Sequence, residues 1–126
     1  MPVGDLLIWF RYRHQVAKLF DRLYFNVRVG EPTLFEKDIP PEILDMSIAI
    51  SRRRIDVVGE TPTDWRLMEL RHDAGTESLG QILMYKALWF SDPPDARAVS
   101  LAIVSDRSNK DLIVACEYYN VDLIVV

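Results

Sequence analysis

Arg53-Arg54-Ile55-Asp56-Val57-Val58 and Trp65-Arg66-Leu67-Met68-Glu69-Leu70-Arg71, joined through Glu60-Thr61-Pro62-Thr63-Asp64, decide the reading of this chain. Both runs are rich in apolar and β-branched residues, and the short connection is a turn signal. Together they predict an antiparallel hairpin. Asp56 interrupts an otherwise apolar run. Burying a carboxylate without a partner is expensive, so Asp56 either faces solvent or is held for a purpose. Strand alternation puts Leu67, Glu69 and Arg71 on one face and Met68 and Leu70 on the other. In the hairpin, Asp56 lies beside Glu69 on the same face. Two carboxylates that close repel each other, and a shared cation relieves the repulsion. A hard divalent ion such as Mg²⁺ takes two carboxylates, waters and phosphate oxygens, activates water and stabilises charge on a phosphoryl group. The competing account is plain ion pairing of Asp56 and Glu69 with Arg54, Arg66 or Arg71.

Downstream, Gly75 leads to Thr76, the expected N-cap of a helix that runs to about Phe90. Leu79, Ile82, Leu83, Ala87 and Phe90 are its expected core stripe. Gln81 and Tyr85, four apart, share one side of that helix, from which both reach the sheet edge where Glu69 and Arg71 point. They offer hydrogen bonds and a stacking ring, which suit phosphate or base contact; the competing account is a surface Gln and a Tyr half in the core. Pro93-Pro94 closes the segment. A buried-type strand over 99–104, a helix over about 109–119 and a last strand over 121–126 complete the chain.

Upstream, residues 3–18 predict a helix with Leu6, Leu7, Phe10 and Ala17 on its apolar side. Leu23–Val29 alternates and predicts a strand stopped at Gly30 and Pro32. Residues 31–41, with Pro32, Pro40 and Pro41, predict a loop, and a short helical turn is expected near Glu42–Met46. The order helix, three strands, helix, strand, helix, strand defines an α/β fold on a mixed sheet.

The 126 residues suit one domain spanning 1–126. With 49% hydrophobic and 27% charged residues, the composition excludes a disordered tail, a collagen-like repeat and a disulfide scaffold. The longest apolar runs are far shorter than the roughly 20 residues of a membrane span. A single cysteine, Cys116, cannot form an internal disulfide, and an intracellular setting is expected. The net charge of −4 argues against non-specific coating of nucleic acid. The charge is uneven, though. Arg11, Arg13, Lys18, Arg22 and Arg28 form one basic stretch and Arg52, Arg53 and Arg54 another, each a candidate phosphate-facing patch or an ordinary solvated face. Trp9, Tyr12, Trp65, Trp89, Tyr118 and Tyr119 are more aromatic surface than a small core readily hides, and they are either part of an interface with a second copy or an assembly partner or ordinary half-buried aromatics.

The ordered set Arg54-Ile55-Asp56-Val57-Val58, Glu69-Leu70-Arg71 and Gln81-Ile82-Leu83-Met84-Tyr85 resembles the PD-(D/E)XK nuclease superfamily. The Gln-xxx-Tyr element is similar to its RecB-like and Cas4-like branch. The resemblance covers roughly residues 15–126 and implies a restriction-endonuclease-like αβββαβ core. It implies that Asp56, Glu69 and the Leu70 carbonyl hold Mg²⁺ or Mn²⁺, and that Gln81 and Tyr85 organise the site and the DNA. Where the family has Lys, this chain has Arg71. Lys can orient or help deprotonate water, whereas Arg stays protonated and acts only as an electrostatic stabiliser. Lys86 is a poor substitute, lying about 100° around the helix from Tyr85. The family's upstream acid has Asp21 and Glu31 as candidates here, neither marked by a motif.

The resemblance therefore implies a small Mg²⁺-dependent deoxyribonuclease with catalytic residues Asp56, Glu69 and Arg71, and with Arg54, Gln81 and Tyr85 on the DNA. The small size fits a phage or mobile-element protein, intracellular or virion-associated. The alternative is a catalytically degenerate relative serving as a DNA-binding or assembly module, for example in a phage particle. A Holliday-junction-resolvase type is the minor third reading.

Overall fold

The computed structural model describes residues 3–16, 18–30 and 53–126. Its elements are α1 (Val3–Val16), β1 (Arg22–Val29), β2 (Arg53–Glu60), β3 (Asp64–Arg71), α2 (Thr76–Ser91), β4 (Ala98–Ser105), α3 (Lys110–Tyr118) and β5 (Val121–Val125). The expected loop over 31–41 and turn near Glu42–Met46, with Glu31 and Arg52, lie outside the described residues. The fold is α/β, with a five-stranded mixed sheet flanked by helices. The strands lie in chain order, β1-β2-β3-β4-β5. The first three are antiparallel neighbours, while β4 runs parallel to β3 and β5 parallel to β4.

This topology fixes where the helices sit. Both parallel connections, β3–α2–β4 and β4–α3–β5, step across the sheet in the same direction. Right-handed crossovers then place both helices on one face. Ile82, Trp89, Leu112 and Cys116 accordingly pack with Leu67, Leu101 and Ile103. On the other face, Ile8, Tyr12 and Val16 of α1 pack with Val57, Met68, Leu70, Ala102 and Val104. The alternation read from β3 holds: Leu67 belongs to the α2–α3 face, Met68 and Leu70 to the α1 face.

Two helix faces differ from the expectation. In α1 the buried stripe is Asp5, Ile8, Tyr12 and Val16, while Leu6, Leu7 and Phe10 are exposed. In α2 the buried residues are Ser78, Leu79, Ile82, Tyr85 and Trp89, and Ala87 and Phe90 face outward. The large aromatic rings win the core because Tyr85 and Trp89 bury more apolar area than Ala87 could. Thr76 is the first helical residue rather than the cap; Gly75 holds the N-cap position and makes no side-chain cap bond. At α3 the cap is a side chain, with the Asn109 Oδ1 accepting from the Leu112 N–H at 2.8 Å. Tyr12, Trp65 and Trp89 are buried and Trp9 is half-buried, which leaves Tyr118 and Tyr119 as the exposed part of the aromatic set.

One local irregularity positions the site. In β1 and β2 the pleat reverses at the facing residues Asn26 and Asp56, which lie between the pairs Phe25–Val57 and Val27–Ile55. Leu23 and Val57 pack on the α1 face, whereas Val27, Val29 and Ile55 pack on the other. Odd-numbered residues of a regular strand would share one face. Asn26 takes a left-handed φ of 54°, a conformation Asn tolerates better than most residues.

Candidate active site

Asp56 sits at that reversal, where the β2–β3 ladder ends. The last paired residues are Val57 and Met68. Beyond them the Leu70 N–H donates to the Asp56 Oδ2 at 2.9 Å, so a side chain takes over what the strand backbone would supply. This bond holds the Asp56 carboxylate against the end of β3, next to Glu69.

A pocket of about 340 Å³ opens there, lined by Asp5, Arg28, Arg53, Arg54, Asp56, Glu69, Arg71, Gln81 and Tyr85. It gathers the side chains expected from sequence: Asp56, Glu69 and Arg71 from the hairpin, Gln81 and Tyr85 from α2, and Arg54 from β2. Lys86 and Asp21 are not among its lining residues. Asp5 is the member that the sequence reading missed. It is the first residue of the buried α1 stripe, and its Oδ1 accepts from the His72 N–H at 2.9 Å, which ties α1 to the end of β3. The available signal was its spacing to Ile8, Tyr12 and Val16; choosing the Leu6–Leu7–Phe10 side instead turned Asp5 away from the core.

Three carboxylates are therefore buried around one pocket: Asp5 is 6% exposed, Asp56 5% and Glu69 3%. Burial drives the Glu69 carboxyl up to about 8, the Asp56 charge adds to the rise, and Arg71 opposes it without prevailing. Burial also raises Asp56, against the lowering effects of the Leu70 N–H and of Arg54. The Tyr85 hydroxyl is raised by burial and by the negative charges of Glu69 and Asp56.

The arginines engage only part of this charge. Arg54 Nη2 lies 3.9 Å from Asp56 Oδ1, and Arg71 Nη2 lies 3.5 Å from Glu69 Oε1. Arg71 Nη2 also donates to Gln81 Oε1 at 3.3 Å, which the Tyr85 hydroxyl reaches at 3.3 Å. Gln81 thus links Arg71 to Tyr85. Glu69 Oε2 and Arg71 Nε are buried with no hydrogen-bond partner. Arg66, a candidate partner of the acids, instead pairs with Asp122 at 2.6 Å.

No group of three or more His, Cys, Asp or Glu side chains is arranged to hold a metal ion among the described residues. The pocket's oxygen donors are the carboxylates of Asp5, Asp56 and Glu69; Leu70, the third expected metal ligand, is not among its lining residues. An oxygen donor set with one buried, orphaned carboxylate oxygen suits a hard cation. In comparisons with known proteins, no family model, curated protein or solved structure matches the chain. No helix among the described residues is long and apolar enough to cross a membrane.

Proposed function

We propose that this protein is a small metal-dependent DNA nuclease of the PD-(D/E)XK type, with a restriction-endonuclease-like core. The observation that carries the reading is the pocket itself: buried carboxylates Asp5, Asp56 and Glu69 beneath a rim of Arg28, Arg53, Arg54 and Arg71. Burial disfavours the charged forms of Asp56 and Glu69 in a solvent-open cleft, which supports a site built for chemistry. The arginines suit a phosphodiester, and the acids suit the cation that accompanies it.

Asp56, Glu69 and the Leu70 carbonyl would hold Mg²⁺ or Mn²⁺, which when bound supplies water activation and charge neutralisation at phosphorus. In hydrolysis, water oxygen forms a bond to phosphorus, one P–O ester bond breaks, and the departing sugar oxygen takes up a proton. Arg71 holds no removable proton at neutral pH, so its part is to stabilise negative charge on the phosphoryl oxygens. Gln81 fixes the guanidinium plane, and Asp5 takes the position of the upstream acid on the first helix.

The test is cleavage of single- and double-stranded DNA with Mg²⁺ and with Mn²⁺, comparing wild type with Asp56→Ala. Metal-dependent cleavage lost in the variant supports the proposal, and a wild type inert under all conditions refutes it. One contact favours a second reading, a degenerate DNA-binding or assembly module, for example of a phage particle. Arg71 occupies Glu69 Oε1, an oxygen that the metal needs. The exposed Tyr118 and Tyr119 would then belong to a contact surface with a second copy or another assembly component.

A further inference from the structure

The two edges of the sheet differ. β1 is guarded: Arg22 and Arg28 stand on it, and its pleat reverses at Asn26. β5 (Val121-Asp122-Leu123-Ile124-Val125) is apolar, and among the described residues no strand pairs with its outer side. Its one charge, Asp122, is already neutralised by Arg66 at 2.6 Å. The Val126 N–H donates to the Ser105 carbonyl on β4. By alternation, Asp122 and Ile124 also turn their backbone groups to β4, and Val121, Leu123 and Val125 turn theirs outward. A row of open donors and acceptors on an apolar strand is a template for another strand.

The flank of this edge is apolar at its centre and charged at its ends. A groove of about 360 Å³ lies between α3 and β5, with Ile113, Cys116, Glu117, Val121, Leu123 and Val125 among its lining residues. Lys110, Ile113, Val114 and Glu117 stand at i, i+3, i+4 and i+7, so they share one side of α3, and all four are exposed. Lys110 and Glu117 form no ion pair among the described residues. Each also stands against the helix dipole, the cation in the first turn and the anion in the last. The helix by itself gains nothing from that order of charges.

We propose that β5 pairs antiparallel with β5 of a second copy of this chain, about a two-fold axis at Leu123, joining the two sheets into one and packing α3 against its symmetry mate. Leu123 then faces the partner's Leu123, and Val121 faces the partner's Val125. Each pair exchanges two backbone bonds, because these are the residues whose N–H and C=O turn outward. The occupant is a second copy because the helix flank complements itself about the same axis. The nine residues of α3 at about 1.5 Å each and the five of β5 at about 3.3 Å cover nearly equal lengths in opposite directions. The axis through Leu123 therefore meets α3 between Ile113 and Val114. Lys110 and Glu117 lie equally far from that point, so Lys110 meets the partner's Glu117 at both ends, with the apolar pair between them. The spacing agrees as well. Leu112 and Cys116 pack α3 over Leu101, Ile103 and Val121 of β4 and β5. Its copy lies two strand spacings away, roughly 10 Å, which is the distance of packed helices. The inference goes beyond the nuclease-type reading and stands apart from it: none of these residues lines the carboxylate pocket, and β5 is two strands from β3.

The test is sedimentation equilibrium of the full chain from about 1 to 100 μM. Wild type is expected to sediment as a dimer, at twice the chain mass of 14.6 kDa. Val125→Pro removes an outward N–H that the pairing with β4 does not use, and is expected to give a folded monomer with unchanged far-ultraviolet circular dichroism. Lys110→Glu and Glu117→Lys each set like charges together at both ends of the helix pair, while each improves the match to the helix dipole. Each is expected to weaken the dimer by about tenfold with no loss of helicity. Combining the two exchanges the charges and restores the wild-type affinity. A wild type that stays monomeric throughout leaves the edge to a strand of some other protein and overturns the proposal. So does a dimer that survives Val125→Pro, or a double variant that binds no tighter than the single ones. Should Val125→Pro fail to fold, the charge exchange decides alone.

Discussion

Glu69→Gln is the substitution that most directly probes the buried carboxylates. The Glu69 carboxyl rises from 4.5 to about 8 on folding, chiefly through burial. Between those values the folded chain holds a proton that the unfolded chain has released. Stability therefore falls as pH rises through the window from about 4.5 to about 8, and levels off on either side. The full rise corresponds to roughly 5 kcal/mol, at about 1.4 kcal/mol per tenfold change in proton affinity. Between pH 5.5 and 7.5 the Glu69 share is roughly 3 kcal/mol. Gln keeps the shape of the side chain and an acceptor for Arg71 but carries no titrating proton. Groups remote from the pocket titrate alike in both proteins, so the difference between their stability curves reports Glu69 together with its coupling to Asp56. Urea unfolding at pH 5.5, 6.5 and 7.5 measures it. Wild type should lose roughly 3 kcal/mol more than Glu69→Gln across that range, equivalent to a melting-temperature difference of about 10 °C. Parallel curves would refute the reasoning, as would a wild type that gains on the variant as pH rises. The linkage extends to metal. Because bound Mg²⁺ requires the ionised carboxylate, it should stabilise wild type more at pH 8 than at pH 6, and Glu69→Gln at neither.

Further outcomes follow from the same geometry. Arg71→Lys should raise Mn²⁺-dependent cleavage several-fold, because Lys releases Glu69 Oε1 and supplies a tunable donor, and turnover on single- and double-stranded DNA measures it. Asp56→Ala should abolish calorimetric Mn²⁺ binding and also destabilise the fold by about 1–3 kcal/mol, since the Leu70 N–H loses its acceptor. Asn26→Val should cost roughly 1–2 kcal/mol in denaturant unfolding and Asn26→Gly much less, because a β-branched residue resists the left-handed conformation. Asp5→Ala should destabilise the fold by about 1–3 kcal/mol by removing the acceptor of the His72 N–H, read as a lowered urea midpoint.

Much of this arrangement was legible in the chain because it depends on local patterning. The hairpin itself, the alternation of Leu67, Met68, Glu69 and Leu70, and the four-residue step from Gln81 to Tyr85 are all short-range consequences of turn signals and of strand and helix periods. The helix stripes were harder to read. In α1 two overlapping apolar sides compete, and nothing within the helix says which one the sheet covers. The choice is made by Val57, Met68 and Leu70 on strands far away in sequence. The same blindness hid Asp5, whose partner His72 lies 67 residues on. In α2 the four-residue series Gln81, Tyr85, Trp89 was half visible as the first two members. Trp89 joins them only once Trp65 is known to stand opposite.

The pleat reversal explains why the carboxylates meet at this place in the sheet. A regular β2 would run its hydrogen-bond ladder past Asp56 and close the gap against β3. Instead Asn26 bends β1 out of register with its own pleat, and Asp56 follows from the facing position. The ladder to β3 stops one residue short, and the backbone N–H left open at Leu70 is satisfied by the Asp56 side chain. That single bond anchors an acid deep in the fold at low conformational freedom, and it turns the remaining carboxylate oxygen toward Arg54. Glu69, one residue before Leu70, is thereby brought next to a negative charge in a dry setting, and its own charge becomes the costlier of the two. The strained strand and the perturbed acid have one origin. A variant that restores a regular pleat at position 26 should therefore shift the Glu69 titration as well as the stability, and a titration unmoved by such a change would separate the two.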